Sequence, residues 1–379
     1  MTLPEEVTML CTELRRFIRE EVDPVSRSIE ENDAIPHTLV EKARALGLFG
    51  LTIPEQYGGI GLDLAGKCAI EEEMGRTNYG FATLIGNHTG ISSTGIVALG
   101  NEQQKANYLP RMASGEWIGC FALTEAQAGS DPAALRTSAV RKGDRYVLNG
   151  EKIYITNAPV ASVFTVMAVT DASKGIKGIS AFIVERSFQG LSVGRNELKM
   201  GMHGCTTAPV AFSDCEVPVE NLLGAEGMGY VQAMKTLTQG RVTLAARCIG
   251  MMDKLIEASV AYMKIRTQGG RKLAEYQGLQ WMLADMAVQR DAARGLVTRG
   301  IETLLLGERG TLEAAVAKLY ATEALGKVVD AAVQIHGGMG YMREAGIETT
   351  FRDARITRIY EGTSEIQRNI IAGHLLKDR

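Results

Sequence analysis

The segment from Arg358 to Arg368, Arg-Ile-Tyr-Glu-Gly-Thr-Ser-Glu-Ile-Gln-Arg, contains a carboxylate that could accept a proton. Ser364 and Gln367 have the spacing of a capping box and are followed by apolar residues, which predicts a helix that begins near Ser364. Glu361 would lie just before that helix, near the positive end of its dipole, which favours the carboxylate form. Gly362 permits a close ligand or an unusual backbone angle beside it. Glu361 is therefore a candidate general base, although an isolated glutamate before a helix is more commonly just solvated.

A second segment of interest is Phe121-Ala-Leu-Thr-Glu-Ala-Gln-Ala-Gly-Ser-Asp131, where an apolar strand runs into a turn of small residues. Small residues let the backbone approach a flat ligand closely. Thr124 and Ser130 add hydroxyl groups that can donate or accept hydrogen bonds. Taken alone, the segment is explained equally well as an ordinary strand exit.

These residues must be positioned by three regions of different character. Residues 1–113 have helical periodicity, residues 114–226 are rich in β-branched and aromatic residues, and residues 227–379 return to long helical periods. Asn149-Gly150 lies between two β-rich runs, which predicts a hairpin turn there. Helices, then strands, then helices indicate segregated α and β domains with these boundaries rather than a βαβ sheet.

Composition excludes several classes of function. The chain of 379 residues has 41 Lys+Arg and 44 Asp+Glu, a net charge of −3, which gives no general attraction to nucleic acid. No apolar run approaches the roughly 18 residues that a membrane span requires. Six cysteines and five histidines are scattered without metal-ligand spacing, so no metal site is expected. Reduced thiols and the absence of a secretory signal pattern predict a cytoplasmic protein.

Taken together, five stretches in order resemble the FAD-dependent acyl-CoA dehydrogenase family over essentially the whole chain. They are Phe121-Ala-Leu-Thr-Glu with Ala128-Gly-Ser-Asp131, Gly150-Glu-Lys-Ile-Tyr-Ile-Thr-Asn157, Lys199-Met-Gly-Met-His203, Gln334-Ile-His-Gly-Gly-Met-Gly-Tyr341 and Phe351-Arg-Asp-Ala-Arg-Ile-Thr-Arg-Ile-Tyr-Glu-Gly-Thr-Ser364. The resemblance implies a helical N-terminal domain, a β-barrel-like middle domain and a C-terminal four-helix bundle. It also implies FAD in the cleft between the last two domains and at a subunit interface of a homotetramer.

The reaction implied by the resemblance is α,β-dehydrogenation of an acyl-CoA thioester to the trans-2-enoyl-CoA. A glutamate takes the α-proton, its backbone N–H and a flavin ribityl hydroxyl polarise the thioester carbonyl, and the β-hydride goes to the flavin. Closing the acyl chain over the flavin removes water and makes the carboxylate more basic. Electrons usually pass on to electron-transferring flavoprotein.

Matching positions assign roles in this sequence. Glu361 is the expected base, because the alternative family position on an earlier helix, just before Arg241, is Gly240 here. Substrate contacts are expected from Ser130, Arg241 and Gly362. Expected FAD contacts, some of them across the subunit interface, are Leu123, Thr124, Gly129, Ser130, Tyr154, Thr156, Arg266, Gln334, Gly338, Thr363 and Glu365.

Some positions depart from the family pattern. Gly269 stands where an aromatic residue is common, and Thr238 where Asp is common. Ala126-Gln127 replaces a Pro-Gly turn, and His203 occupies a frequent Arg position. These departures leave open the acyl group and the choice between CoA and a carrier protein.

The sequence leaves two alternatives open. An acyl-CoA oxidase or a flavin monooxygenase would share the architecture and pass electrons to oxygen, but such oxidases are usually much longer and the monooxygenases generally lack the glutamate. A non-catalytic protein that binds acyl-CoA or flavin would not need Glu361.

Overall fold

Helices form the first part of the chain in the computed structural model, which describes residues 3–377. Their apolar faces share one core, in which Leu14, Phe49 and Phe81 are fully buried. Short π-helical turns at Ile18–Val22 and His88–Ser92 continue the first and fifth helices, so the chain turns there without leaving the helical layer. The helices are α1 (Glu5–Phe17), α2 (Ser26–Asn32), α3 (His37–Ala45), α4 (Leu64–Met74), α5 (Tyr79–Asn87), α6 (Ser93–Leu99) and α7 (Glu102–Ala113).

The middle part is an eight-stranded sheet in the order β6-β7-β3-β2-β4-β5-β8, with β1 paired in parallel to β4. The two longest strands, β3 and β7, are antiparallel neighbours. Buried Phe164, Phe182 and Phe212 fill the interior of this sheet. The strands are β1 (Gly119–Ala122), β2 (Ser138–Lys142), β3 (Arg145–Thr156), β4 (Val163–Val169), β5 (Ile179–Glu185), β6 (Leu191–Val193), β7 (Thr207–Pro218) and β8 (Leu222–Leu223).

The predicted hairpin at Asn149-Gly150 is wrong. Strand β3 continues through these residues, with a shift of its register against β7 between Leu148 and Gly150. The turn that joins β2 to β3 is at Gly143 and Asp144 instead. The Asn149 side chain pairs across the sheet, where its Oδ1 accepts a hydrogen bond from the Asp214 N–H at 2.8 Å. Gly150 is required by close packing, since a Cβ there would lie 2.6 Å from Thr137 Oγ1.

The last part of the chain is a helical bundle. Alanines on both faces, such as Ala245 and Ala321, let its long helices α8 and α10 pack closely around Ile249 and Leu325. Helices α12 and α13 pack against α10 and complete the bundle. Its elements are α8 (Gly229–Ile265), the small hairpin β9 (Thr267–Gln268) and β10 (Arg271–Lys272), α9 (Gln277–Leu305), α10 (Thr311–His336), α11 (Gly338–Tyr341), α12 (Ile347–Ile356) and α13 (Ser364–Leu375).

The changes of element type fall between Ala113 and Gly119 and between Leu223 and Gly229. The exact domain boundaries after residues 113 and 226 stay predictions. Within residues 3–377, no helix is both long and apolar enough to cross a bilayer. All six cysteines are free and buried.

Candidate functional site

A cavity of about 360 Å³ opens where the three parts of the chain meet. Helix α5, the turn after β1, the end of β3, helix α8 and the loop before α13 each contribute to its walls. Nine of the residues expected at the site line it: Leu123, Thr124, Gly129, Ser130, Tyr154, Thr156, Arg241, Glu361 and Gly362. Residues as far apart in sequence as Leu123 and Glu361 therefore share one cleft.

Glu361 lies on a loop that the surrounding side chains hold in an uncommon conformation. Its φ is +54°, and that of Gly362 is +88°. The Glu361 carbonyl accepts hydrogen bonds from Arg241 Nε at 3.3 Å and from Gln367 Nε2 at 3.2 Å. Lys318 Nζ and Gln367 Nε2 both donate to the Gly362 carbonyl at 2.8 Å. These bonds maintain a left-handed conformation that a glutamate would not adopt unaided.

The predicted capping box is wrong by one residue. Thr363, not Ser364, is the N-cap of α13, and its Oγ1 accepts from the Ile366 N–H at 3.3 Å. Ser364 Oγ donates instead to Glu323 Oε1 at 2.6 Å. Gln367 has the predicted spacing but reaches farther back, to the loop that carries Glu361, and so positions the site rather than the helix end.

The environment of the Glu361 carboxylate weakens its acidity. Its Oε2 is enclosed and has no hydrogen-bond partner within residues 3–377. Burial raises the pKa of Glu361 to about 7, while the positive charges of Lys318 and Arg241 oppose that rise. Burial also lowers the pKa of Lys318 to about 8, with Glu361 opposing that change. A carboxylate with a pKa near 7 suits general acid–base chemistry at neutral pH.

Gly240 of α8 leaves room for this carboxylate. A Cβ built on Gly240 would lie 2.7 Å from Glu361 Oε2. The position just before Arg241 and the loop glutamate therefore face the same point in the cleft.

Tyr154 and Thr156 come from an irregular end of β3. The register with β7 shifts between Lys152 and Ile155, and Tyr154 has a φ of +57° with 65% of its surface exposed. Such an irregularity re-aims side chains relative to a regular strand. Here it places both residues in the cleft wall.

A buried ion pair that sequence reasoning missed supports the turn after β1. Lys152 Nζ contacts Glu125 Oε1 at 2.7 Å and donates to the Leu123 carbonyl at 3.2 Å. Glu125 also accepts the backbone N–H groups of Arg136 and Thr137 at 2.8 and 3.0 Å. Both residues lie inside stretches that carried the family resemblance, but their contact across the sheet has no signal in local spacing.

Five expected contacts lie outside the cleft. Arg266, Gln334 and Gly338 are exposed, at or beyond the ends of α8 and α10. Thr363 is committed to capping α13, and Glu365 is exposed on the first turn of that helix. Within one chain, Arg266, Gln334 and Gly338 do not line the cavity that contains Glu361.

Arg247 is a further residue of the cleft that sequence reasoning missed. It lines the cavity from α8, pairs with Glu71 of α4 and lies 5.6 Å from the centre of the Tyr79 ring. The pairing residues are 176 positions apart, so no sequence pattern links them.

Comparison with known proteins covers nearly the whole chain. Family models described as the N-terminal, middle and C-terminal domains of acyl-CoA dehydrogenase match residues 4–116, 120–215 and 227–376. A short-chain-specific acyl-CoA dehydrogenase of Clostridium acetobutylicum is 41% identical over 375 residues, covering 99% of each chain. The CarC subunit of the caffeyl-CoA reductase–Etf complex of Acetobacterium woodii is 38% identical and covers 100% of each chain. The solved structure of butyryl-CoA dehydrogenase from Megasphaera elsdenii has a TM-score of 0.96 and 36% identity, with 100% of each chain covered.

Proposed function

This chain belongs to the acyl-CoA dehydrogenase family, and we propose that it converts an acyl-CoA thioester to the trans-2-enoyl-CoA with Glu361 as the base. Membership makes it an oxidoreductase that acts on CH–CH bonds, with FAD as its cofactor. The proposal concerns the substrate, the roles of the residues and the electron acceptor.

The residues of the cleft fit FAD. Gly129 leaves its wall open, since a Cβ there would meet only Thr124 Cγ2, at 3.9 Å. Thr124 and Ser130 offer hydroxyl groups beside it, and Tyr154 and Thr156 supply a wall for a flat ring. When bound, FAD supplies the acceptor for the hydride that leaves the β-carbon.

The observation that carries the proposal is that Oε2 of Glu361 is enclosed, faces the cleft and has no hydrogen-bond partner in the described part of the chain. An oxygen in this position can take the α-proton of a bound thioester without first losing a hydrogen bond. The Glu361 N–H makes no hydrogen bond within residues 3–377, so it is free to bind the thioester carbonyl. Arg241, Lys318 and Gln367 hold the loop and preorganise both groups.

A second candidate is the reverse reaction, reduction of an enoyl-CoA. The relative from Acetobacterium woodii is a reductase subunit by name. Because the pKa of Glu361 is raised to about 7 by burial, its protonated form is well populated at neutral pH and could return a proton to the α-carbon. In either direction, the proposed electron partner is electron-transferring flavoprotein, and we propose a cytoplasmic location.

The test is anaerobic reduction of the FAD-loaded protein by butyryl-CoA, followed by stopped-flow absorbance. We expect the wild type to bleach and Glu361→Gln to bleach roughly a thousandfold more slowly, because the amide keeps the shape but cannot take the proton. Glu308→Gln, an exposed glutamate in the loop after α9, is the matched control.

Three results would contradict the proposal: a protein that takes up no FAD, no bleaching by any thioester, or a Glu361→Gln rate within about tenfold of wild type. A tenfold change in rate corresponds to only about 1.4 kcal/mol of the activation barrier, which is too small an effect for removal of the sole base. Fast reoxidation by air would favour the oxidase alternative. Reoxidation of the reduced protein by crotonyl-CoA alone, without bleaching by butyryl-CoA, would favour the reductase.

A further inference from the structure

Three buried charged side chains meet in the wall of the cleft. Glu71 lies one turn after Lys67 on α4, and its Oε1 is 2.8 Å from Lys67 Nζ. Its Oε2 accepts from Arg247 Nε at 2.6 Å. The side chains of Lys67, Glu71 and Arg247 are 3%, 3% and 8% exposed. We refer to these residues as the ionic triad.

Helix α5 leaves space for the guanidinium group of Arg247. A Cβ on Gly86 would lie 1.7 Å from Arg247 Nη2, so any larger residue would push Arg247 away. Arg247 Nη1 also donates to Thr83 Oγ1 at 3.3 Å. Arg247, Thr83 and Gly86 all line the cavity that contains Glu361.

The other cation of the triad faces a second cavity, of about 300 Å³. This cavity shares Gly90 and Gly240 with the cleft, so it lies directly behind the position of Glu361. Lys67 and Asp63 both line it. Asp63 is used as the N-cap of α4, where it accepts the Gly66 N–H at 2.8 Å, and forms no ion pair with Lys67.

The balance of charge in this wall is positive. The triad sets the Arg247 guanidinium and the Lys67 amine against one carboxylate. Burial lowers the pKa of Lys67, and its contact with Glu71 opposes that change. No other carboxylate within residues 3–377 forms an ion pair with Lys67 or Arg247. Nearer the reacting end of the cleft, Arg241 and Lys318 outnumber Glu361 in the same way. A buried excess charge is costly unless a ligand neutralises it, and a wall meant only for hydrocarbon would be apolar.

The distance between the ionic triad and Glu361 is about the length of a short acyl chain. Gly240, which contacts Glu361, and Arg247 are seven residues apart on α8, about two turns or ~10 Å along the axis. Helical side chains lean towards the N-terminus, so Arg247 extends back towards Glu361. A group bound by Arg247 would therefore be only a few carbons from the α-carbon.

We propose that the substrate is a short acyl-CoA whose acyl chain ends in a carboxylate, and that Arg247 binds this carboxylate. The inference rests on the proposed function and names its substrate class. Lys67 reinforces the positive potential, while Glu71 holds both cations in place and limits their excess charge.

The test compares glutaryl-CoA with pentanoyl-CoA, which has the same chain length and no terminal charge. Dissociation constants are measured by calorimetry on the FAD-loaded Glu361→Gln protein, so that binding is observed without turnover. We expect glutaryl-CoA to bind about tenfold or more tightly, the effect of one charge-assisted contact.

The variants test which residues cause this preference. Adding Arg247→Gln should abolish the preference, whereas adding Glu71→Gln should increase it. Arg294→Gln, which breaks the pair between Arg294 of α9 and Glu72 of α4, should leave the preference unchanged.

Equal or tighter binding of pentanoyl-CoA would overturn the inference, as would a preference that survives Arg247→Gln. If Arg247→Gln fails to fold, the test is Glu71→Gln, for which we expect a stronger preference for glutaryl-CoA. An unchanged preference in Glu71→Gln would count against the proposal. If pentanoyl-CoA reduces the wild-type flavin and glutaryl-CoA is not preferred, only this inference is refuted. If pentanoyl-CoA, glutaryl-CoA and butyryl-CoA all fail to reduce the flavin, the proposed function itself is refuted.

Discussion

Glu361 shows how the surroundings of one residue set its chemistry. Burial raises its pKa to about 7, and the nearby cations Lys318, Arg241 and Arg247 keep it from rising farther. A carboxylate in water has a pKa near 4.3 and would be too weak a base for an α-proton. The enclosed position thus makes Glu361 a stronger base while leaving much of it ionised at neutral pH.

The pH dependence of catalysis follows from this value. Protonated Glu361 cannot take the α-proton, so kcat/KM should rise with pH, level off above about 7 and fall about tenfold per unit well below it. Lys318→Met removes a charge that favours the ionised form, so the midpoint should move to higher pH. Steady-state rates between pH 5 and 9 measure both effects.

Lys327→Met is the control for this prediction, because Lys327 is exposed on the same helix. Its profile should match that of the wild type. A wild-type profile that is flat across pH 7, or a Lys318→Met midpoint that moves to lower pH, would show that Glu361 does not govern the rate.

At the scale of elements, helix α8 and the loop before α13 must approach closely at one point. Gly240→Ala puts a methyl group about 2.7 Å from Glu361 Oε2, so the carboxylate must move. We expect flavin reduction to slow about tenfold or more while FAD content is retained, since a small misplacement of a catalytic group has effects of this size. Stopped-flow bleaching by butyryl-CoA measures the change.

Gly295→Ala is the matched control on α9, where a Cβ would meet nothing within 4 Å. It should leave the rate unchanged and raise the free energy of unfolding by about 0.5–1 kcal/mol, because alanine is the better helix former. If flavin reduction in Gly240→Ala is within twofold of the wild-type rate, the prediction is wrong, because α8 and the loop before α13 can then move apart without loss of activity.

At the scale of the whole molecule, Arg266, Gln334 and Gly338 are exposed, and we predict that they contact the FAD of a neighbouring subunit. Large apolar side chains beside them are also exposed, including Tyr341 at 78% and Met342 at 50%. We predict a homotetramer whose subunits complete each other's FAD sites. Light scattering of the FAD-loaded protein should give four times the 40.9 kDa chain mass.

Arg266→Ala should lower the affinity for FAD, although this residue lies outside the cleft of its own chain. Arg309→Ala, an exposed arginine in the loop before α10, is the control and should bind FAD normally. A 40.9 kDa monomer that retains FAD would contradict the prediction.

Much of this protein was predictable from its sequence. The change of period near residues 113 and 226 indicated helices, then strands, then helices, and five stretches in order indicated the family and its cofactor. These properties depend on local spacing and on short motifs, which a sequence displays directly. Local signals failed where a distant partner competed: Asn149 pairs with Asp214 instead of turning, and Ser364 bonds to Glu323 instead of capping.

Only the tertiary structure decided the properties of the site. Gly240 and Glu361, Lys152 and Glu125, and Arg247 and Glu71 meet through packing between separate elements. The pKa of Glu361 rises because of burial, and burial belongs to the assembled fold rather than to any segment. Electrostatic energies depend on distance and on the exclusion of water, and neither quantity exists until the chain has folded.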